Sequence, residues 1–150
     1  MPYPGAFAAT TPDKPAVVMA GSGETLTYAQ LEERSARLAD HLRRQGLRTG
    51  DVVALLTDNR PQAVEVYWAC QRAGLYVTAV NWHLTAAEAA YIVGDCGARV
   101  LLASAALGDL ARQVRDATPA VTETLAFAGA IEGFGDYDAA LAAADPTPPA

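Results

Sequence analysis

The chain has 150 residues, 51% of them apolar, and a formal net charge of −6. That length suits one domain or one piece of a larger one, able to bury about 68–70% of its unfolded surface, which rules out a disordered polypeptide. The acidic balance argues against nucleic acid as a partner, because phosphate backbones are bound by clustered Lys and Arg, and Arg43, Arg44 and Arg48 form the only dense basic cluster.

Residues 16–19 and 25–28 read as short strands around Gly21-Ser22-Gly23-Glu24, where glycine supplies the positive φ of a tight hairpin. Next, Tyr28, Leu31, Ser35, Leu38 and Leu42 recur at intervals of three and four, one stripe along a helix. Thr27 with Gln30 makes a capping box, Arg43 and Arg44 complement the dipole at the far end, and Gly46 suits the left-handed position that follows. A helix over about 28–45 is expected. The unbroken apolar run 52–56 predicts a strand covered on both faces, entered through the turn Thr49-Gly50-Asp51. Asn59 is expected to cap a helix that carries Pro61 in its first turn and ends at Gly74. Tyr67 and Trp68, with Val64 one turn earlier, read as that segment's inner stripe, with a ligand-pocket wall or a subunit interface as the lesser alternatives. Residues 76–80 predict another strand, and Thr85 with Glu88 a second capping box. A strand over 100–103, a helix over 107–116 and a weaker strand over 123–127 follow. Asp136 then caps a short alanine-rich helix to about residue 143.

This alternation predicts an α/β fold: a mainly parallel sheet flanked by helices, built from βαβ crossovers, with the N-terminal β-hairpin attached to one edge. Residues 1–144 form that α/β portion. Residues 145–150, Asp145-Pro146-Thr147-Pro148-Pro149-Ala150, read as a proline-rich linker or end, since proline lacks the amide donor and restricts its predecessor. No run reaches the ~18–20 apolar residues of a membrane span, and Met1-Pro2-Tyr3-Pro4 lacks the basic start of a secretory signal, so a cytoplasmic location is expected. Cys70 and Cys96 have neither metal-type spacing nor the density of a disulfide scaffold, and are expected to be buried, reduced thiols. With His41 and His83 equally scattered, no metal site is expected.

Gly21-Ser22-Gly23 is followed by no Gly-Lys-Ser/Thr, and no Gly-x-Gly-x-x-Gly occurs, so neither a P-loop nor a dinucleotide site is indicated. Asn81, Trp82 and His83 should lie just past the carboxyl end of a central strand, the edge where open α/β sheets place ligands. This turn is the candidate crevice-facing site, although packing over the next helix, with Leu84 stapling its first turn, is the favoured explanation of Trp82 and His83. Asp58-Asn59-Arg60 occupies the analogous edge after the preceding strand. His41, among Asp40, Arg43 and Arg44, reads as part of a solvated face.

The run Leu26-Thr27-Tyr28-Ala29-Gln30-Leu31, together with Ala73-Gly74 and the later Asn81-x-x-Leu84-Thr85-x-x-Glu88, resembles the front of AMP-forming acyl-CoA synthetases, the adenylate-forming ligases. The resemblance spans about residues 12–104. It implies the first subdomain of that family's large N-terminal domain, in an enzyme that uses ATP, magnesium and coenzyme A to activate a carboxylic acid. Tyr91-Ile92-Val93 beside the second motif is more similar to fatty-acid ligases than to peptide-synthetase domains, so a fatty acid is the expected substrate. Trp82 and His83 stand where relatives often carry proline and arginine. The family's Ser/Thr/Gly-rich loop ending in Pro-Lys, its magnesium and ribose ligands and its mobile-domain lysine cannot be placed on this sequence. The resemblance therefore implies no catalytic and no cofactor-binding residue within 1–150, and an isolated chain that is inactive and binds no cofactor. Its partner would be the remainder of the ligase polypeptide, with pairing into a homodimer as a secondary expectation. A self-sufficient α/β binding or oligomerisation module without catalysis is the alternative.

Overall fold

A computed structural model describes residues 3–147; residues 148–150 of the expected proline-rich end, and residues 1–2, lie outside the described residues. Helix α1 (Pro4–Thr10) leads into an antiparallel hairpin of β1 (Pro15–Val18) and β2 (Thr25–Thr27). Then follow α2 (Tyr28–Arg44), β3 (Val52–Leu56), α3 (Gln62–Ala73), β4 (Tyr76–Val80) and α4 (Ala86–Asp95). The chain continues through β5 (Ala98–Ser104), a 3-10 turn, α5 (Gly108–Ala117), β6 (Glu123–Phe127), β7 (Gly135–Asp136) and α6 (Tyr137–Ala142).

Five strands form one parallel sheet in the order β4-β3-β5-β6-β7. Its faces are separated by the two-residue period of extended chain. Val53, Leu55, Val100, Leu102, Leu125 and Phe127 point to one side, where they meet Leu38 and Leu42 of α2, Val66, Ala69 and Cys70 of α3, and Tyr137 and Leu141 of α6. Ala54, Leu56, Leu101, Ala103 and Ala126 point to the other, against Ala89 and Val93 of α4 and Ala111 and Val114 of α5. Three layers result, with β5 between two cores.

The local signals explain where the helices start. Thr27 and Gln30 close a reciprocal capping box on α2, Thr85 and Glu88 a second on α4, and the Asp136 carboxylate accepts the Ala139 amide of α6. Helix α3 differs from expectation: Pro61 stands at its N-cap in helical geometry and no side chain caps it, so Asn59 does not serve that role. The hairpin also departs from expectation, since β1 and β2 form their own two-stranded sheet rather than extending an edge of the large one. Its strands pack with α2 instead, and the Phe7 and Tyr28 rings, 5.2 Å apart, join α1 to α2. Nor are Tyr67 and Trp68 the inner stripe of α3. Tyr67 is exposed, and Val66, Ala69 and Cys70 face the core.

Three charged clusters lie within this packing. Glu65 is 2% exposed on α3; its Oε1 accepts from Arg34 Nε at 2.7 Å and its Oε2 from the Tyr137 hydroxyl at 2.8 Å. Arg34 also donates to Asp138 at 2.7 Å, and these bonds hold its guanidinium charged against the cost of burial. Asp40, nearly buried, takes Arg43 at 2.8 Å, Arg44 at 2.7 Å and the Asp145 amide at 3.0 Å, which ties the start of the proline-rich end to α2. His41 is not on a solvated face: its Nε2 lies 2.6 Å from Glu123 Oε1, with the two side chains 15% and 18% exposed.

Cys70 and Cys96 are both free thiols, Cys70 buried and Cys96 partly so. Burial pushes the Cys70 thiol from 9.0 up to about 12. Burial, then the adjacent Glu65, push the Tyr137 hydroxyl well above 10.0. Both groups stay neutral in the fold at pH values where the unfolded chain ionises. Their contribution is therefore complete below the unfolded values and is lost as pH rises through the folded ones, a window that opens at 9.0 for Cys70 and 10.0 for Tyr137. Urea midpoints should fall between about pH 8 and about pH 10.5, and Cys70→Ala should make that fall shallower. A midpoint that holds constant across the range would contradict the assignment.

Candidate functional site

The strand order decides where a ligand-binding edge can form. From β3 the chain moves outward to β4, then returns across β3 to β5, so the winding reverses between β3 and β5. Open α/β sheets bind ligands outside the carboxyl ends of the strands at such a reversal, because the connections there diverge and leave a crevice. Leu56 pairs with Ala103 in register, placing Asp58 and Ser104 on either side of that opening.

Burial of Asp58 opposes its charge, but Arg60 and Ser104 outweigh that effect and hold its carboxyl below the usual carboxylate range. Arg60 Nε reaches both Asp58 oxygens at 3.1 Å. The Ser104 side chain is fully buried, and its Oγ has no partner within hydrogen-bonding distance, although it stands close enough to favour the charged form of Asp58. A buried hydroxyl without a partner is uncommon, since buried polar groups are nearly always satisfied.

Alongside lies a cleft of about 400 Å³, walled by the loops after β5 and β6, by Arg112 and by the Trp82 ring. The two loops are clamped together: a Cβ on Gly129 would stand 2.9 Å from the Ala105 Cβ, and Ala128 adopts a φ of 56°. An alanine held in left-handed geometry costs roughly 1–2 kcal/mol, offset here by the packing around it. Arg112 is oriented along the same wall by an ion pair with Asp109.

The turn Asn81-Trp82-His83 follows β4, which is the edge of the sheet rather than a central strand. The Asn81 side chain accepts the His83 amide at 3.0 Å, and the Asn81 carbonyl accepts the Leu84 amide at 3.2 Å, which fixes the turn. Trp82 and His83 stack with ring centroids 3.7 Å apart, and Trp82 remains 42% exposed. Leu84 packs against the α4–α5 side of the core, as expected of a staple. Of the three residues, Trp82 alone lines the cleft; His83 has no carboxylate partner among the described residues, and the Asp58–Arg60 pair lies outside that cleft's walls. Among the described residues, no group of three or more His, Cys, Asp or Glu is arranged to hold a metal.

Sequence reasoning missed Ser104 and Arg112. Ser104 ends an apolar strand, where a single serine carries no periodic signal, and Arg112 lies on a helix face that patterning assigns to solvent. The only available pointer was their position after a predicted strand.

Comparison with known proteins places this architecture. The profile of the family described as AMP-binding enzyme matches residues 6–148. The fatty acid–[acyl-carrier-protein] ligase ScoC of Streptomyces coeruleorubidus is 36% identical over 137 residues, 91% of this chain and 25% of that protein. The 3-oxocholest-4-en-26-oate–CoA ligase of Rhodococcus rhodochrous is 32% identical over 136 residues, 87% of this chain and 24% of that protein. A solved fatty acyl CoA synthetase from Mycobacterium tuberculosis superposes with a TM-score of 0.83 at 25% identity, across 98% of this chain and 28% of that one. The chain thus spans about a quarter of the length of the curated relatives it matches. With a matching profile along nearly its whole length and relatives that share both sequence and fold, the chain belongs to the AMP-binding enzyme family.

Proposed function

We propose that these residues are the N-terminal scaffold of an ATP-dependent, AMP-forming acid:CoA ligase acting on a fatty acid in the cytoplasm. The observation that carries this reading is the family match along residues 6–148 in a chain that spans only a quarter of its relatives. The chain holds a single lysine, Lys14, in Asp13-Lys14-Pro15, so it contains no Pro-Lys phosphate loop and no lysine at the carboxyl edge of the sheet. Its own part is to supply one wall of the reaction crevice, with Trp82 of the Asn81–His83 turn bordering the cleft. Triphosphate, magnesium and coenzyme A would be gripped by the remainder of the polypeptide, and the parallel sheet would fix that remainder in register. No helix among the described residues is long and apolar enough to cross a membrane. Pairing of two complete ligases through this portion is a further part of the proposal.

Residues 1–150 alone are expected to release no pyrophosphate from ATP in the presence of a fatty acid. In the complete ligase, Trp82→Ala should raise KM for one of ATP, acid or thiol by about tenfold, the order expected for removing one aromatic contact. Coenzyme A and an acyl carrier protein are the two thiols to compare. Acyl-AMP formation by the 150-residue chain, or an unchanged KM for every substrate in the variant, would refute the assignment.

A further inference from the structure

We propose a second, separate site at the amino end of the sheet: a cavity walled by Arg43, Arg48 and Arg72 that takes the phosphate group of a small molecule. Helices α2 and α3 end side by side here. The Leu47 amide bonds back to the Leu42 carbonyl at 3.2 Å, and the Leu75 amide to the Cys70 carbonyl at 2.9 Å, each after a glycine with φ of 87° or 69°. Both closures are Schellman-type ends that bury a leucine and occupy helix carbonyls. Leu47 and Leu75 therefore form an apolar floor. The Arg43 and Gln71 carbonyls are also taken, by the amides of Gly46 and Gly74, so less carbonyl charge is left for the arginines to answer.

The arginines are not all neutralised from within. Arg43 pairs with Asp40 and Arg72 with Glu32, whereas Arg48 is exposed and has no carboxylate partner among the described residues. Arg72 is 15% exposed, and its Nε–H is buried without a hydrogen-bond acceptor. Guanidinium groups present a fork that matches phosphate oxygens, and the Thr49 side chain adds a hydroxyl to the same wall. The volume is about 210 Å³, below the ~300 Å³ at which sites for drug-sized ligands begin. A phosphate on a short stem fits; a nucleotide does not. The site lies at the opposite end of the strands from the cleft beside Trp82, so it stands or falls independently of the ligase reading.

The test is a titration of the 15N-labelled 150-residue chain with inorganic phosphate, ionic strength being held constant with chloride. Saturable shifts confined to amides at residues 47–50 and 73–76 are expected, with a dissociation constant in the millimolar range, about 1 mM. Arg48→Gln, which breaks no ion pair, should weaken binding about tenfold, and Arg43→Gln should weaken it as well. Arg115→Gln, on α5, should leave it unchanged. Identical shifts with chloride alone, shifts spread over the surface, or wild-type affinity in both the Arg48 and Arg43 variants would overturn the proposal.

Discussion

Replacing Glu65 with alanine is expected to lower the unfolding free energy by about 3 kcal/mol, the lower end of the ~3–5 kcal/mol seen when one partner of a buried ion pair is removed. The lower end applies because Arg34 is 30% exposed and keeps Asp138, so water and a second carboxylate limit its loss. Most of the cost falls on Tyr137, whose ring is fully enclosed and whose hydroxyl would lose its acceptor. Tyr137→Phe leaves the buried Glu65 Oε2 without this donor and should cost about 2 kcal/mol, as for a hydrogen bond to a charged group. Urea denaturation of the two single variants and the double variant reads these quantities directly. A loss below about 1 kcal/mol for Glu65→Ala would show that the cluster does not hold α6 against α3.

Leu101→Ala and Leu102→Ala should each cost about 3 kcal/mol, within the 2–5 kcal/mol usual for such truncations. Both side chains are fully buried, and their adjacency on β5 sends one to each core. The cavities therefore open on opposite faces and share few neighbours, so the costs should nearly add. A loss of about 6 kcal/mol approaches the whole stability of a small domain, about 5–15 kcal/mol, and the double variant should be largely unfolded at 25 °C. Circular dichroism and urea midpoints check this. A double variant no worse than either single one would mean that both residues line a single core.

Much of this architecture was legible because its signals are local. Thr27, Thr85 and Asp136 announce helix starts through side-chain bonds to amides three residues on, and the apolar run 52–56 announces a strand buried on both faces. What could not be read depends on distant partners. His41 has charged neighbours in sequence, yet its partner Glu123 lies 82 positions away. Glu65 points inward because Arg34 and Tyr137 receive it, whereas hydrophobic periodicity assigns a glutamate outward and moved the inner stripe to Tyr67 and Trp68. Helix α1 has seven residues, no side-chain cap and no terminal charges, and is held by packing on α2. Strand β7 has two residues, too few for a period to show. At the candidate site, the turn after β4 was legible from its motif, but its place at the sheet border was not, because strand order is set by crossovers rather than by residue pattern.

The border position of β4 has a consequence for solution behaviour. One side of Tyr76-Val77-Thr78-Ala79-Val80 bonds to β3, and the opposite row of amides and carbonyls has no strand beside it among the described residues. The segment contains none of the lysine, proline or inward-pointing charge with which natural sheets blunt such a margin, and it is rich in residues that favour extended chain. That seam offers a template to which another extended segment can add as a strand.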